Sequence, residues 1–273
     1  TLPGGLDGLK FLFYPRFGDL TASAIVLALG HSFFTLSLGM GNMITYGSYL
    51  GKDQNLLGSA LWVILLDTAV ALLAGVAIFT SVFATGADPA GGPGLIFNIL
   101  PSIFPQLPYG AVWGTIFFAL LFMAALTSAI SILEVITSSS IDQFGWSRNR
   151  ATVIFGIIVS IVGVFCSLSM GGGINIAEYF GDTFQHYLGE TFFDVMDSLS
   201  SKYMMPLGGM LTALFVILKW GVPSFIAEVG ISIVDKSRDR IIVTLLLIIA
   251  SSVAGFFLLN ELIEALTGSA IIG

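Results

Sequence analysis

The chain has 273 residues, 56% of them hydrophobic and only 10% charged, with a mean hydropathy of +0.96; a soluble globular domain carries about 25% charged residues. The net charge of −7 offers no basic footprint for nucleic acid. No HExxH, GxSxG, phosphate-loop or CxxC pattern marks an enzyme.

Apolar stretches of bilayer length, about 20 residues each, read at roughly 21–50, 57–84, 112–140, 151–170, 199–220 and 241–263. They leave little room for a soluble domain, so residues 1–273 read as a single all-α transmembrane domain of six spans. Residues 1–19, punctuated by Pro3, Gly4, Gly5, Pro15 and Gly18, read as a loop. The first span is interrupted at its centre. In HSFFTLSLGMGNMITYGSYL, residues 31–50, a plain membrane-crossing helix has no use for Thr35, Ser37, Gly39, Gly41, Asn42 and Gly47. Backbone polar groups in hydrocarbon need partners, so a Gly-broken segment at that depth belongs where it lines a cavity or is buried in protein. Opened backbone beside hydroxyls suits a small polar solute or a bare cation, which points to transport. Phe34 and Met40 flank the break as pocket candidates, and His31 reads as a packed or hydrogen-bonded residue of the span.

Beyond the inner turn GKDQN at 51–55, Asp67 falls near the middle of span two. A midplane carboxylate costs several kcal/mol unless paired or hydrated. No Lys or Arg occurs at its depth, which makes sodium or a proton the natural partner; the bland alternative is a protonated Asp hydrogen-bonded between helices. Residues 87–110 form a long outer loop whose core, LIFNILPSIF, is too short to span and reads as a re-entrant or interfacial helix. Span three carries the stripe Ala124, Thr127, Ser128, Ser131, Glu134, Ser138 and Asp142, one helical face apart from the adjacent hydroxyl pair. Those hydroxyls are hard donors for a small hard cation. Small and hydroxyl residues also let membrane helices pack closely, although Glu134 argues against packing alone.

IDQFGWSRNR at 141–150 is a tight inner turn, and the lone Cys166 cannot form an internal disulfide. Residues 171–193 make a second outer loop containing His186. Asp194 and Asp197, one turn apart before span five, either gate an outer vestibule or occupy a helix N-terminus that favours acids. Residues 221–240 form an inner amphipathic segment, with Ile226, Val229, Ile233 and Val234 opposite Glu228, Asp235 and Lys236. Lys52, Arg148, Arg150, Lys219, Lys236, Arg238 and Arg240 lie in one set of loops, and only Lys10 and Arg16 in the other. By the positive-inside rule the loops after spans one, three and five are cytoplasmic, and both ends of the chain are extracellular. With no signal peptide and no initiator Met, Thr1 reads as an internal residue, and the chain as the C-terminal part of a longer plasma-membrane protein.

FFTLSLGMG at 33–41, ITYGSYL at 44–50, GPGLIFNILPSIFPQLPYG at 92–110, LTSAISILEV at 126–135 and SSKYMMPLGGMLTALFVILKWG at 200–221 occur in family order. Together they closely resemble the neurotransmitter:sodium symporter family, above all its bacterial amino-acid members. The resemblance covers helices six to eleven of that family and lacks helices one to five. It implies the leucine-transporter inverted-repeat fold, of which this chain is the second repeat plus one further helix. It implies sodium-coupled symport by alternating access, with sodium ions, an amino acid and the lipid bilayer as partners.

Residue by residue, the resemblance assigns Thr35 and Asp67 to a first sodium site, and Ala124 (by its carbonyl), Thr127 and Ser128 to a second. Phe34, Thr35, Ser37, Met40 and Ile132 fall in the substrate pocket. Asp197 matches an outer gate and Asp142 an inner gate, each with an arginine partner outside this chain. Asp67 stands where relatives usually have Asn; its fixed charge would replace chloride, so transport is expected to be chloride-independent. Met40, where some relatives have Phe, is a flexible thioether that can yield to a bulky group, which favours a hydrophobic or aromatic substrate. Two rival readings stand beside this one: a cation or proton channel, and a non-transporting membrane scaffold.

Overall fold

The computed structural model describes residues 4–89, 95–170, 191–230 and 236–267. All regular structure among them is helical: α1 (Gly5–Phe13), α2 (Ala22–Thr35), α3 (Asn42–Tyr49), α4 (Leu56–Thr85), α5 (Leu95–Gln106), α6 (Gly110–Phe144), α7 (Arg148–Met170), α8 (Phe192–Trp220), α9 (Val222–Val229) and α10 (Lys236–Thr267). Five of these, α4, α6, α7, α8 and α10, are long and apolar enough to cross a membrane. The expected first span is two shorter helices, α2 and α3, separated at residues 36–41. Rows of large apolar side chains lie exposed on the long helices, among them Trp62, Leu65, Leu66, Phe122, Met123 and Ile157. Surface of that kind and extent belongs against lipid or other protein.

The chain divides into two compact units, residues 1–20 with 61–129 and residues 21–60 with 130–273. The first is built on a close approach of backbones. A Cβ on Gly8 would sit 2.4 Å from the Phe79 carbonyl oxygen, so only glycine lets α1 lie on α4. Phe11 then packs on Phe79 and Phe83, with ring centroids 5.0 and 5.3 Å apart. This corrects the reading of residues 1–19 as a loop. Gly4 and Gly5 did mark a start, but Gly8 is a contact rather than a breaker, and Leu6, Leu9 and Leu12 recur at helical spacing behind it. The short apolar core of the 87–110 loop forms α5, a helix too short to span, which packs Phe104 against Phe117 and Phe118 of α6.

The second unit is organised around α8 and α10, which pack along each other and against α2. Span five was expected to start at 199, but α8 starts at Phe192. Thr191 and Asp194 close a capping box there, each satisfying the other's backbone N–H, and so nucleate an earlier turn. Asp194 is thus a capping acid rather than a gate. Ser169, buried at the end of α7, accepts the Phe193 N–H at 3.1 Å and ties the two helices together. In the 221–240 segment Ile226 is buried and Glu228 exposed on α9, as an amphipathic helix requires. Ile233, Val234 and Asp235, like His186 and most of the 171–193 loop, lie outside the described residues.

Candidate functional site

The break between α2 and α3 lies within the second unit. At the end of α2, Leu36, Ser37 and Leu38 donate to the carbonyls of Ser32, Phe34 and Phe33. The next backbone bond, from Thr45 to Gly41, belongs to the first turn of α3. Ser37, Gly39 and Gly41 take positive φ values of 53°, 78° and 87°. Ser37 stands out, because a side chain in that region is uncommon and concentrates at functional sites. No side chain among the described residues caps α3, which leaves the N–H groups at its start at the end of the helix that favours negative charge.

Neighbouring helices clasp this break. A Cβ on Gly39 would lie 2.0 Å from the Met205 carbonyl oxygen, and one on Gly208 would lie 2.2 Å from the Gly39 oxygen. The backbones of the break and of α8 therefore touch directly. On the other side, Gly41 meets Val135 of α6. Phe34 and Thr35 are exposed, while Ser37 and Met40 are half-buried, so the break presents hydroxyls, an aromatic ring and open backbone from one short segment.

Helix α6 presents Ala124, Thr127 and Ser128 of the stripe, and Ile132, as exposed residues. Thr127 Oγ1 donates to the Ala124 carbonyl at 2.9 Å, the bond that helical hydroxyls often make to the preceding turn. Asp67 is half-buried on α4 and has no hydrogen-bond or ion-pair partner among the described residues. Asp67, Ala124, Thr127 and Ser128 belong to the first unit, and Phe34, Thr35, Ser37, Met40 and Ile132 to the second.

Two further groupings within the second unit involve the expected gating acids. Tyr46 and Tyr49, three apart on α3, donate to Ser131 and Glu134, three apart on α6, the second bond being 2.6 Å long. The two helices therefore run alongside in register. Glu134 also accepts two bonds from Arg148, at 2.8 and 3.0 Å, because the turn at Gly145–Ser147 folds the start of α7 back along α6. Arg148 had been counted only as a loop charge. It also lines a cavity of about 300 Å³ with Tyr49, Ser138 and Asp142.

Asp197 lines a second cavity, of about 340 Å³, with His31, Phe34, Ser201, Lys202 and Phe257. His31 is exposed there, stacked on Phe34 with centroids 6.4 Å apart and planes at 19°, rather than packed within the span. The carboxylates of Asp142 and Asp197 have no hydrogen-bond or ion-pair partner among the described residues.

The sodium:neurotransmitter symporter family matches residues 1–227. An uncharacterized sodium-dependent transporter of Bacillus subtilis (strain 168), YhdH, is 41% identical over 228 residues, which cover 84% of this chain and 49% of YhdH. A second uncharacterized sodium-dependent transporter, from Haemophilus influenzae, is 36% identical over 219 residues, covering 79% of this chain and 46% of the relative. The crystal structure of MhsT in complex with L-phenylalanine matches with a TM-score of 0.82 and 40% sequence identity, over 95% of this chain and 57% of that one. The chain spans about half the length of the curated relatives it matches. Those relatives are transporters, not enzymes, and with several helices apolar enough to cross a bilayer the chain is part of a multi-pass membrane protein. On the match over residues 1–227, the chain belongs to the sodium:neurotransmitter symporter family.

Proposed function

We propose that the chain is the C-terminal portion of a sodium-coupled symporter that carries a hydrophobic or aromatic amino acid by alternating access. The observation that carries this reading is the break at 36–41, held between α8 and α6 with positive-φ backbone and an uncapped α3. The N–H groups and helix dipole there suit a substrate carboxylate, and the carbonyls at the end of α2 suit a cation or an ammonium group. Phe34, Met40 and Ile132 would surround the substrate's side chain, with Ser37 in the break beside them. The phenylalanine named in the MhsT complex supports an aromatic substrate.

In this reading sodium is cargo. Thr35 and Asp67 ligate one ion. The Ala124 carbonyl with the Thr127 and Ser128 hydroxyls ligates another. Sodium and substrate meet at Thr35, so each raises the other's affinity by the same factor. Asp197 closes the outer side and Asp142 the inner side against cations from outside this chain, α5 dips in as a lid, and both ends of this stretch face outward. The Asp67 carboxylate balances sodium's charge without chloride.

The test is uptake of radiolabelled phenylalanine into proteoliposomes holding the full-length transporter. Uptake should saturate, prefer the L-isomer, need an inward sodium gradient and persist when gluconate replaces chloride. Conductance that does not saturate with substrate would establish a channel instead, and absence of both uptake and sodium-dependent amino-acid binding would leave a scaffold.

A further inference from the structure

Behind the outer cavity lies an ion pair that neither the substrate nor the sodium reading uses. Lys202 Nζ stands 3.7 Å from Glu261 Oε2, and the Glu261 side chain is only 8% exposed, beside buried Asn260 and one turn before Glu264 near the end of α10. A carboxylate buried in a membrane-crossing helix is costly unless paired, and its retention points to a role. The paired ammonium is not sealed away, since Lys202 is half-buried and lines the cavity that also carries Asp197, Phe34 and His31.

The backbone explains why Lys202 reaches both sides. Pro206 has no N–H for the Lys202 carbonyl four residues earlier, and its ring crowds that oxygen. The helix responds by widening over Leu199–Met204, where the Met205 N–H bonds to Ser200, five residues back. Such π-type turns are frequent at functional sites. In a regular α-helix Asp197 and Lys202, five apart, would leave one another's face, whereas i to i+5 winding carries Lys202 back toward it. The Asp197 carboxylate has no hydrogen-bond or ion-pair partner among the described residues. The charged or titratable groups around this cavity are His31 from α2 and Asp197 and Lys202 from α8, with Glu261 of α10 behind Lys202 and Glu264 of α10 and Tyr203 of α8 next to Glu261. Phe257 packs on Gly30, where a Cβ would meet the ring at 2.5 Å, and fixes α10 against α2 beneath them.

We propose that Lys202 is the in-chain counter-ion of Asp197, and that Glu261 is the residue positioning it. With the outer side closed, Asp197 is satisfied by a cation from outside this chain and Lys202 rests on Glu261. With it open, Lys202 turns to Asp197 and balances a charge that would otherwise pull the mouth shut. This rests on the reading of Asp197 as an outer gate. The two partners of the pair then act in opposite senses. Losing Lys202 leaves Asp197 with only the outside cation and favours closure, while losing Glu261 frees Lys202 for Asp197 and favours opening.

The test uses the full-length transporter with every native cysteine replaced by serine and a reporter cysteine at Ser201→Cys, labelled from outside by a membrane-impermeant maleimide. Relative to the parent, Lys202→Met should slow labelling and Glu261→Gln should speed it, each by about threefold or more as the open population shifts. Should the single variants fail to fold, the swap Lys202→Glu with Glu261→Lys keeps an ion pair while placing a carboxylate beside Asp197, and it should label slowly. Equal-direction changes in the two single variants, no change in either, or parental labelling in the swap would show a merely structural pair and overturn the proposal. Asp197→Asn separates the two layers. If it leaves labelling unchanged, the gating reading fails and takes this proposal with it. If it speeds labelling while the Lys202 and Glu261 variants do not diverge, only this proposal fails.

Discussion

Asp67 is the residue on which the ionic part of the proposed mechanism turns. It is half-buried on a helix apolar enough to cross a membrane, and no cation of its own unit pairs with it among the described residues. A charged group so placed is stable only with an ion, a proton or a partner from elsewhere. If its fixed charge does the work that chloride would otherwise do, Asp67→Asn should raise the sodium concentration for half-maximal uptake several-fold. The same variant should make uptake sensitive to replacing chloride by gluconate. Sodium activation curves of the two proteins that superimpose, in either anion, would remove Asp67 from the site. Ser37 makes the complementary point about strain: at φ 53° it holds a conformation that glycine would take more easily, so its hydroxyl is kept there despite the backbone.

The interrupted pair α2 and α3 is in direct contact with α8 and α6 at its break. Gly39 touches the α8 backbone at a distance where a methyl group would overlap Met205's carbonyl oxygen, and its φ of 78° already disfavours a side chain. Gly39→Ala should therefore push α8 and the break apart, at a cost of about 1–3 kcal/mol for the overpacking alone. The expected result is protein that still inserts in the membrane, melts at lower temperature in detergent and has lost sodium-dependent phenylalanine binding. Wild-type binding in Gly39→Ala would mean that this contact does not shape the site. The break itself was legible in the sequence, since two glycines and a serine inside an apolar run have no structural use in lipid. The hydroxyl stripe of α6 was legible for a similar reason. Helix α1 was hidden because Gly4, Gly5 and Gly8 look alike in sequence, although one of them is a packing contact. The Glu134–Arg148 pair was hidden because it depends on how a three-residue turn folds α7 back along α6. Lys202 and Glu261 stayed invisible because 59 residues separate them and only the packing of α8 on α10 brings them together.

At the scale of the whole molecule, the expected ligands look outward. Thr35, Ala124, Thr127 and Ser128 are exposed, and the carboxylates of Asp197 and Asp142 carry no hydrogen-bond or ion-pair partner among the described residues. An alkali cation gives up its water only to a full ring of oxygen atoms, and in the proposed second site a hydroxyl pair with one carbonyl would supply part of such a ring. The apolar flanks of α4 and α6 likewise expose Leu61, Trp62, Phe122 and Met123, a surface that lipid or further helices must cover. Since the chain spans about half the length of its curated relatives, the other oxygen atoms are expected on helices outside residues 1–273. A direct comparison follows. Residues 1–273 expressed alone should show no sodium-dependent phenylalanine binding, whereas co-expression with a separate chain carrying the remaining helices of the full-length transporter should restore it. Binding by residues 1–273 alone, with the affinity and sodium dependence of the full-length transporter, would mean that the oxygen atoms described above already complete both ion sites.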